Sequence, residues 1–170
     1  MLTKLKNAYK DLIHSQEFKN SGFLCGAFLM CNIEELEQTN WQLDFYNKES
    51  DTITSYFMEN DIKVAENSEI FKEEGKEIEE LKLEDVKTNF EDIKKQLDEI
   101  LEKRNESVVK ITIIVQKQIH PIWNILYITK KFNLLNIRIN AIDGKLIDEK
   151  TVPLLSFEKG DNNNIRKIYE

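Results

Sequence analysis

The sequence predicts an α+β protein made of two tandem helix-plus-antiparallel-β-meander units packed into one compact body. Three observations carry this. Sliding the 170-residue chain on itself by eighty-two positions sets Trp41-Gln-Leu-Asp-Phe on Trp123-Asn-Ile-Leu-Tyr, Ile53 on Leu135, Phe57 on Ile139 and Lys63 on Lys145. One position less sets Leu2, Leu5, Tyr9 and Leu12 on Leu83, Val86, Phe90 and Ile93. Finally, each helical pattern precedes segments of period-two alternation, the signature of strands with one buried face.

The apolar three-four spacing from Leu2 to Phe18 reads as an amphipathic helix, stopped by Asn20-Ser21-Gly22. Phe23 to Ile33 is apolar at both alternating sets, which suits a buried strand or a buried helix. Its counterpart Val108 to Val115 is rich in β-branched residues, so both are read as strands. Trp41, Leu43 and Phe45 share one face of the next strand. Asn47-Lys-Glu-Ser-Asp turns it into Thr52–Met58, and Asp61–Ala65 adds a short strand. The seam Leu83, Val86, Phe90, Ile93, Leu97, Ile100, Leu101 defines a second helix that packs on the sheet. His120-Pro121 ends the strand before the second hairpin. Asp143-Gly144 is a turn signal before a closing strand, Lys145–Val152. The expected divisions are a first repeat over 1–66, an acidic connector over 67–82, a second repeat over 83–157 and a frayed tail over 158–170.

Charge narrows the classes of partner. The formal net charge is −7, and between Glu66 and Glu102 fourteen acidic residues face six basic ones. No basic stripe offers itself to nucleic acid, so none is expected as a partner. The longest apolar run, Phe23 to Cys31, is far short of the roughly 20 residues that span a bilayer, so no membrane partner is expected. The N-terminal charges break any signal-like stretch, and cytoplasmic localisation follows as the expectation. As strand residues, Cys25 and Cys31 stand roughly 20 Å apart, too far for a disulfide, and are read as buried thiols.

The sequence offers no catalytic, cofactor-binding or metal-ligating set, and no cofactor is expected. His14 and His120 are the only histidines and neither has a ligand partner at a suitable spacing. There is no nucleophile elbow and no glycine-rich phosphate loop. Asp44 and Asp143 present themselves as carboxylates paired across the repeats, although Asp143 is better explained as a turn residue. Trp41 and Trp123 are weighed as stacking platforms and read as core anchors. Asn105-Glu-Ser matches a glycosylation sequon, without meaning in the cytoplasm.

From Trp123 to Ile147 the chain resembles the PepSY repeat. That family's unit looks like a helix and a cystatin-like β-meander, with an aromatic residue opening one strand and a D-A-x-T-G-like turn closing a later one. Here the turn stands as Asn140-Ala141-Ile142-Asp143-Gly144; in the first repeat Ile62 occupies the place of the glycine. The resemblance covers about a third of the chain and implies partner binding or restraint of proteases, with no catalytic residue to carry over. The expected function is therefore non-catalytic binding or scaffolding of a protein or peptide partner, through strand addition at a sheet edge. The protein is expected to be no enzyme, and a monomer or homodimer. The alternative is small-molecule binding or catalysis in a cleft between the two repeats.

Overall fold

Among the described residues, eight strands form a single antiparallel sheet in the order β4-β3-β2-β1-β5-β6-β7-β8. The computed structural model describes residues 1–19, 22–68 and 77–154. In chain order the elements are α1 (Leu2–Ile13), β1 (Phe23–Asn32), a 3₁₀ turn (Ile33–Glu35), β2 (Gln42–Asn47), β3 (Thr52–Phe57) and β4 (Lys63–Ser68). There follow α2 (Phe90–Lys103), β5 (Val108–Lys117), β6 (Pro121–Thr129), β7 (Asn133–Asn140) and β8 (Leu146–Pro153).

This corrects the expected α+β class of two helix-plus-meander units. Among the described residues the molecule is mainly β, 43% strand against 21% helix, and the strands belong to one continuous sheet. The physical reason lies in β1 and β5. A separate meander would leave its first strand as an open edge, with unpaired N–H and C=O groups. Instead β1 and β5 pair with each other from Gly26↔Gln116 to Asn32↔Lys110, and both edges vanish. The apolar residues on both faces of β1 are those of a central strand.

The echo at eighty-two positions slips within the sheet. Trp123 stands opposite Ile139, whereas Phe57 stands opposite Gln42, one residue beyond Trp41. The β2–β3 connection (48–51) is one residue longer than the β6–β7 connection (130–132). Because side chains alternate, one residue reverses the face. Ile139 is fully buried, and its sequence match Phe57 lies half-exposed on the other side.

The second helix also starts later than expected. Leu83 and Val86 are buried, but they belong to an irregular segment that packs into the core ahead of α2. The Leu81 N–H donates to the Leu24 carbonyl at 2.7 Å. The helix begins where the Asp92 carboxylate accepts the Asn89 N–H at 3.0 Å, half of a capping box readable in Asn89-Phe-Glu-Asp92. Likewise α1 ends at Ile13, and Phe18 turns its ring onto Phe45 and Tyr56. The expected tail over 158–170 and half of the acidic connector (69–76) lie outside the described residues.

The contiguous core cluster lies on one face, while Tyr46 and Ile122 are buried on the other. Leu29, Ile113, Ile125 and Ile137 form one row across β1, β5, β6 and β7, and α1 and α2 cover it. Tyr9 stacks on Phe45, and Phe90 meets Trp123 edge-on with centroids 6.2 Å apart. The segments carrying Phe18, Leu36, Leu81 and Val86 join the same core.

Candidate functional site: the uncovered sheet face

The opposite face has no described element lying over it. Its central row, read across the ladders, is Phe57, Gln42, Phe28, Ile114, Asn124 and Arg138. Phe57, Phe28 and Ile114 are half-buried, and Met30 is 56% exposed in the adjoining row. Asn124 is buried here, with its side-chain oxygen unpartnered among the described residues.

One corner of this face is polar. Gln42 Nε2 donates to Asp44 Oδ1 at 2.8 Å, and Ser55 Oγ stands 3.4 Å from the same nitrogen. Burial raises the Asp44 carboxyl above its ordinary pKa, opposed in part by hydrogen bonds from Gln42 and Ser55. Cys25 occupies the bulge where β1 shifts register against β2. Its Sγ–H donates to the Asp44 carbonyl at 3.2 Å. Burial first, then the Asp44 charge, pushes the thiol up to about 12. Such a thiol stays protonated at neutral pH and is a poor nucleophile. Beside this corner, Phe28, Met30, Phe57 and Met58 line an open cleft of about 390 Å³ with Gln42 and Glu59 at its polar side.

The cationic side of the face lies across β5 to β8. Lys110 and Lys150 are exposed, and neither is within ion-pair distance of a carboxylate among the described residues. Between them, on alternating rows, lie Leu126, Ile128, Leu134 and Val152, all half-buried. Arg138 and Asp148 neutralise each other, with Arg138 Nε donating to Asp148 Oδ1 at 2.7 Å. That hydrogen bond, with the nearby Lys150 charge a smaller effect, holds the Asp148 carboxyl below its usual range.

The residues weighed from the sequence scatter. His14 caps α1, its Nδ1 2.7 Å from the Lys10 carbonyl, while His120 is exposed in the β5–β6 turn. Asp143 sits in the β7–β8 turn, where its hydrogen bond to Lys145 lowers its pKa. It is not paired with Asp44. Both tryptophans are buried, Trp41 at 1% and Trp123 at 0% exposure, so neither is a platform for stacking a ligand. Among the described residues no three His, Cys, Asp or Glu side chains converge as a metal site. The place expected to hold a cleft between repeats is filled by the β1·β5 ladder. Sequence reasoning missed the uncovered face, although Met30, Ile114 and Leu126 belong to the second apolar set of their strands.

No protein-family model matches the chain, and no curated protein matches it. A crystal structure of a putative lipoprotein from Clostridium difficile 630 is similar in fold, with a TM-score of 0.51. The match covers 88% of this chain and 91% of that one, at 12% sequence identity. The likeness is one of fold alone. It lends nothing to the PepSY resemblance, and the sheet-dominated architecture overturns the α+β, PepSY-like description. None of the described helices is long and apolar enough to cross a membrane.

Proposed function

We propose that the chain is a non-catalytic binding module for a protein or peptide partner, and that the uncovered sheet face is its docking surface. The observation that carries this is the one-sided placement of α1, α2 and the described segments around Phe18, Leu36, Leu81 and Val86, which leaves half-exposed Phe28, Ile114 and Leu126 facing outward. An antiparallel sheet facing water on one side is ordinarily polar there. The edges suit docking less well. β8 carries Asp148-Glu-Lys150, Pro153 and a register shift, and β4 carries Lys63, Glu66 and a register shift of its own against β3. These are the devices by which sheet edges resist pairing.

The test is recovery of a stoichiometric partner from native cells by the wild-type chain, by a Met30→Asp, Thr112→Arg face variant and by an Ile147→Pro edge variant. Loss in the face variant alone, with circular dichroism unchanged, is the expected result. Retention in the face variant and loss in the edge variant would return the docking site to strand addition.

A second reading rests on the cleft lined by Phe28, Met30, Phe57 and Met58. Its volume falls within the range of small-molecule sites, roughly 300–1,000 Å³. A thermal shift from a metabolite panel, abolished by Met30→Trp, favours it. As to place, the similarity to a putative lipoprotein supports a position at the membrane or outside the cytoplasm; fractionation of native cells decides.

A further inference from the structure

Resting on the reading of the uncovered face as a docking surface, we infer that the segment it takes is acidic and apolar. Its carboxylates engage Lys110 and Lys150, and its apolar side chains lie over Leu126, Ile128 and Leu134. Charge complementarity points to such a segment, on a molecule of the opposite overall sign. The chain carries −7, with its acidic excess concentrated between Glu66 and Glu102, a stretch that includes most of α2 on the other side of the sheet. The charged residues that the ladders place on the uncovered face are Lys63, Lys110, Arg138 and Lys150 against Asp44 and Asp148. Arg138 and Asp148 cancel, Lys63 is paired with Glu59, and Asp44 is turned to Gln42. Lys110 and Lys150 remain, exposed and in no ion pair among the described residues, with Lys150 close enough to Asp148 to help lower its pKa.

Their spacing sets a template. They are three strands and one two-residue step apart, so their Cα atoms stand roughly 16 Å apart. An extended chain covers that distance in about five residues. A segment with two acids five positions apart and leucine or valine between them therefore reaches both lysines. In crossing, it lays its apolar side chains on the intervening patch. A basic segment meets like charge at both ends.

The test uses the full-length ¹⁵N-labelled chain and a synthetic nine-residue peptide with two glutamates five positions apart and leucines between them. Its counterpart carries lysine in place of both glutamates. Amide shifts confined to β5–β8 with the acidic peptide and absent with the basic one are expected. A Lys110→Glu, Lys150→Glu variant, unchanged in circular dichroism, should weaken the acidic peptide about tenfold or more. Equal binding of both peptides, or shifts on α1 and α2, would overturn the inference. So would depletion of the protein by phosphatidylglycerol vesicles without peptide binding, which makes the ligand a lipid surface. A native partner lost by the Met30→Asp, Thr112→Arg variant but kept by the double lysine variant would retain the docking face and overturn its acidic occupant.

Discussion

Trp123 Nε1 donates to the Thr88 carbonyl and lies 3.2 Å from both that oxygen and Thr88 Oγ1, whereas Trp41 Nε1 is buried without a partner among the described residues. Thr88 is held in turn, its N–H and hydroxyl both directed to the Ala141 carbonyl. One indole therefore fastens the segment before α2 to the sheet, and the other carries an unsatisfied donor.

The two rings should respond differently to loss of the N–H alone. Trp123→Phe removes a made hydrogen bond as well as ring volume, and strands acceptors on Thr88. Trp41→Phe removes ring volume but also relieves a buried donor, worth about 1–3 kcal/mol when unsatisfied. Chemical denaturation should show Trp123→Phe as the more destabilising. Truncation to Ala should cost about 3–5 kcal/mol at Trp123.

Gly22 should tolerate no side chain. Its φ is +129°, and a Cβ there would come 2.2 Å from the Tyr46 carbonyl oxygen. Backbone of that kind costs roughly 1–3 kcal/mol in a non-glycine residue before the clash is counted. A lowered denaturation midpoint for Gly22→Ala is expected, while Gly26→Ala, whose Cβ would meet only the Val115 oxygen at 3.6 Å, should change it far less.

Asp44 makes stability depend on pH. Its folded-state pKa is raised by burial, so the native state holds this proton more tightly than the unfolded chain does. Stability contributed by the protonated form is complete below the ordinary carboxylate pKa and is lost as pH rises through the raised value. Asp44→Asn should therefore gain in stability relative to wild type between acidic and neutral pH. A wild-type-minus-variant difference independent of pH, in urea melts across that range, would show the carboxyl is unperturbed.

Phe90 stands at the first turn of α2, 4% exposed and edge-on to Trp123. Replacing it by Asp puts an unpaired charge into the core and should unfold the monomer. Circular dichroism beside light scattering checks this. A folded, monomeric Phe90→Asp variant of a dimeric parent would instead identify α2 as an interface.

Local pattern made much of this protein legible. The alternation of Trp41, Leu43 and Phe45, and of Trp123, Ile125 and Tyr127, marked strands with one buried face, and both indoles are indeed core. The β-branched run from Val108 correctly argued for strands at β1 and β5. Burial needs only the residue's own neighbours along the chain to announce itself. Pairing between distant strands has no such announcement: the joining of β1 to β5 depends on two open edges meeting across some eighty-five residues of chain. The register of β3 depends on one extra residue in a turn, which moved Phe57 to the outer face while Ile139 stayed inside. The start of α2 was written in Asn89 and Asp92, but the apolar spacing of Leu83 and Val86 imitated a helix that the core had taken for an extended segment. The candidate site was hidden for the same reason. In a central strand both alternating sets are apolar, and only the placement of α1 and α2 on one side decided which set would be core and which would face outward.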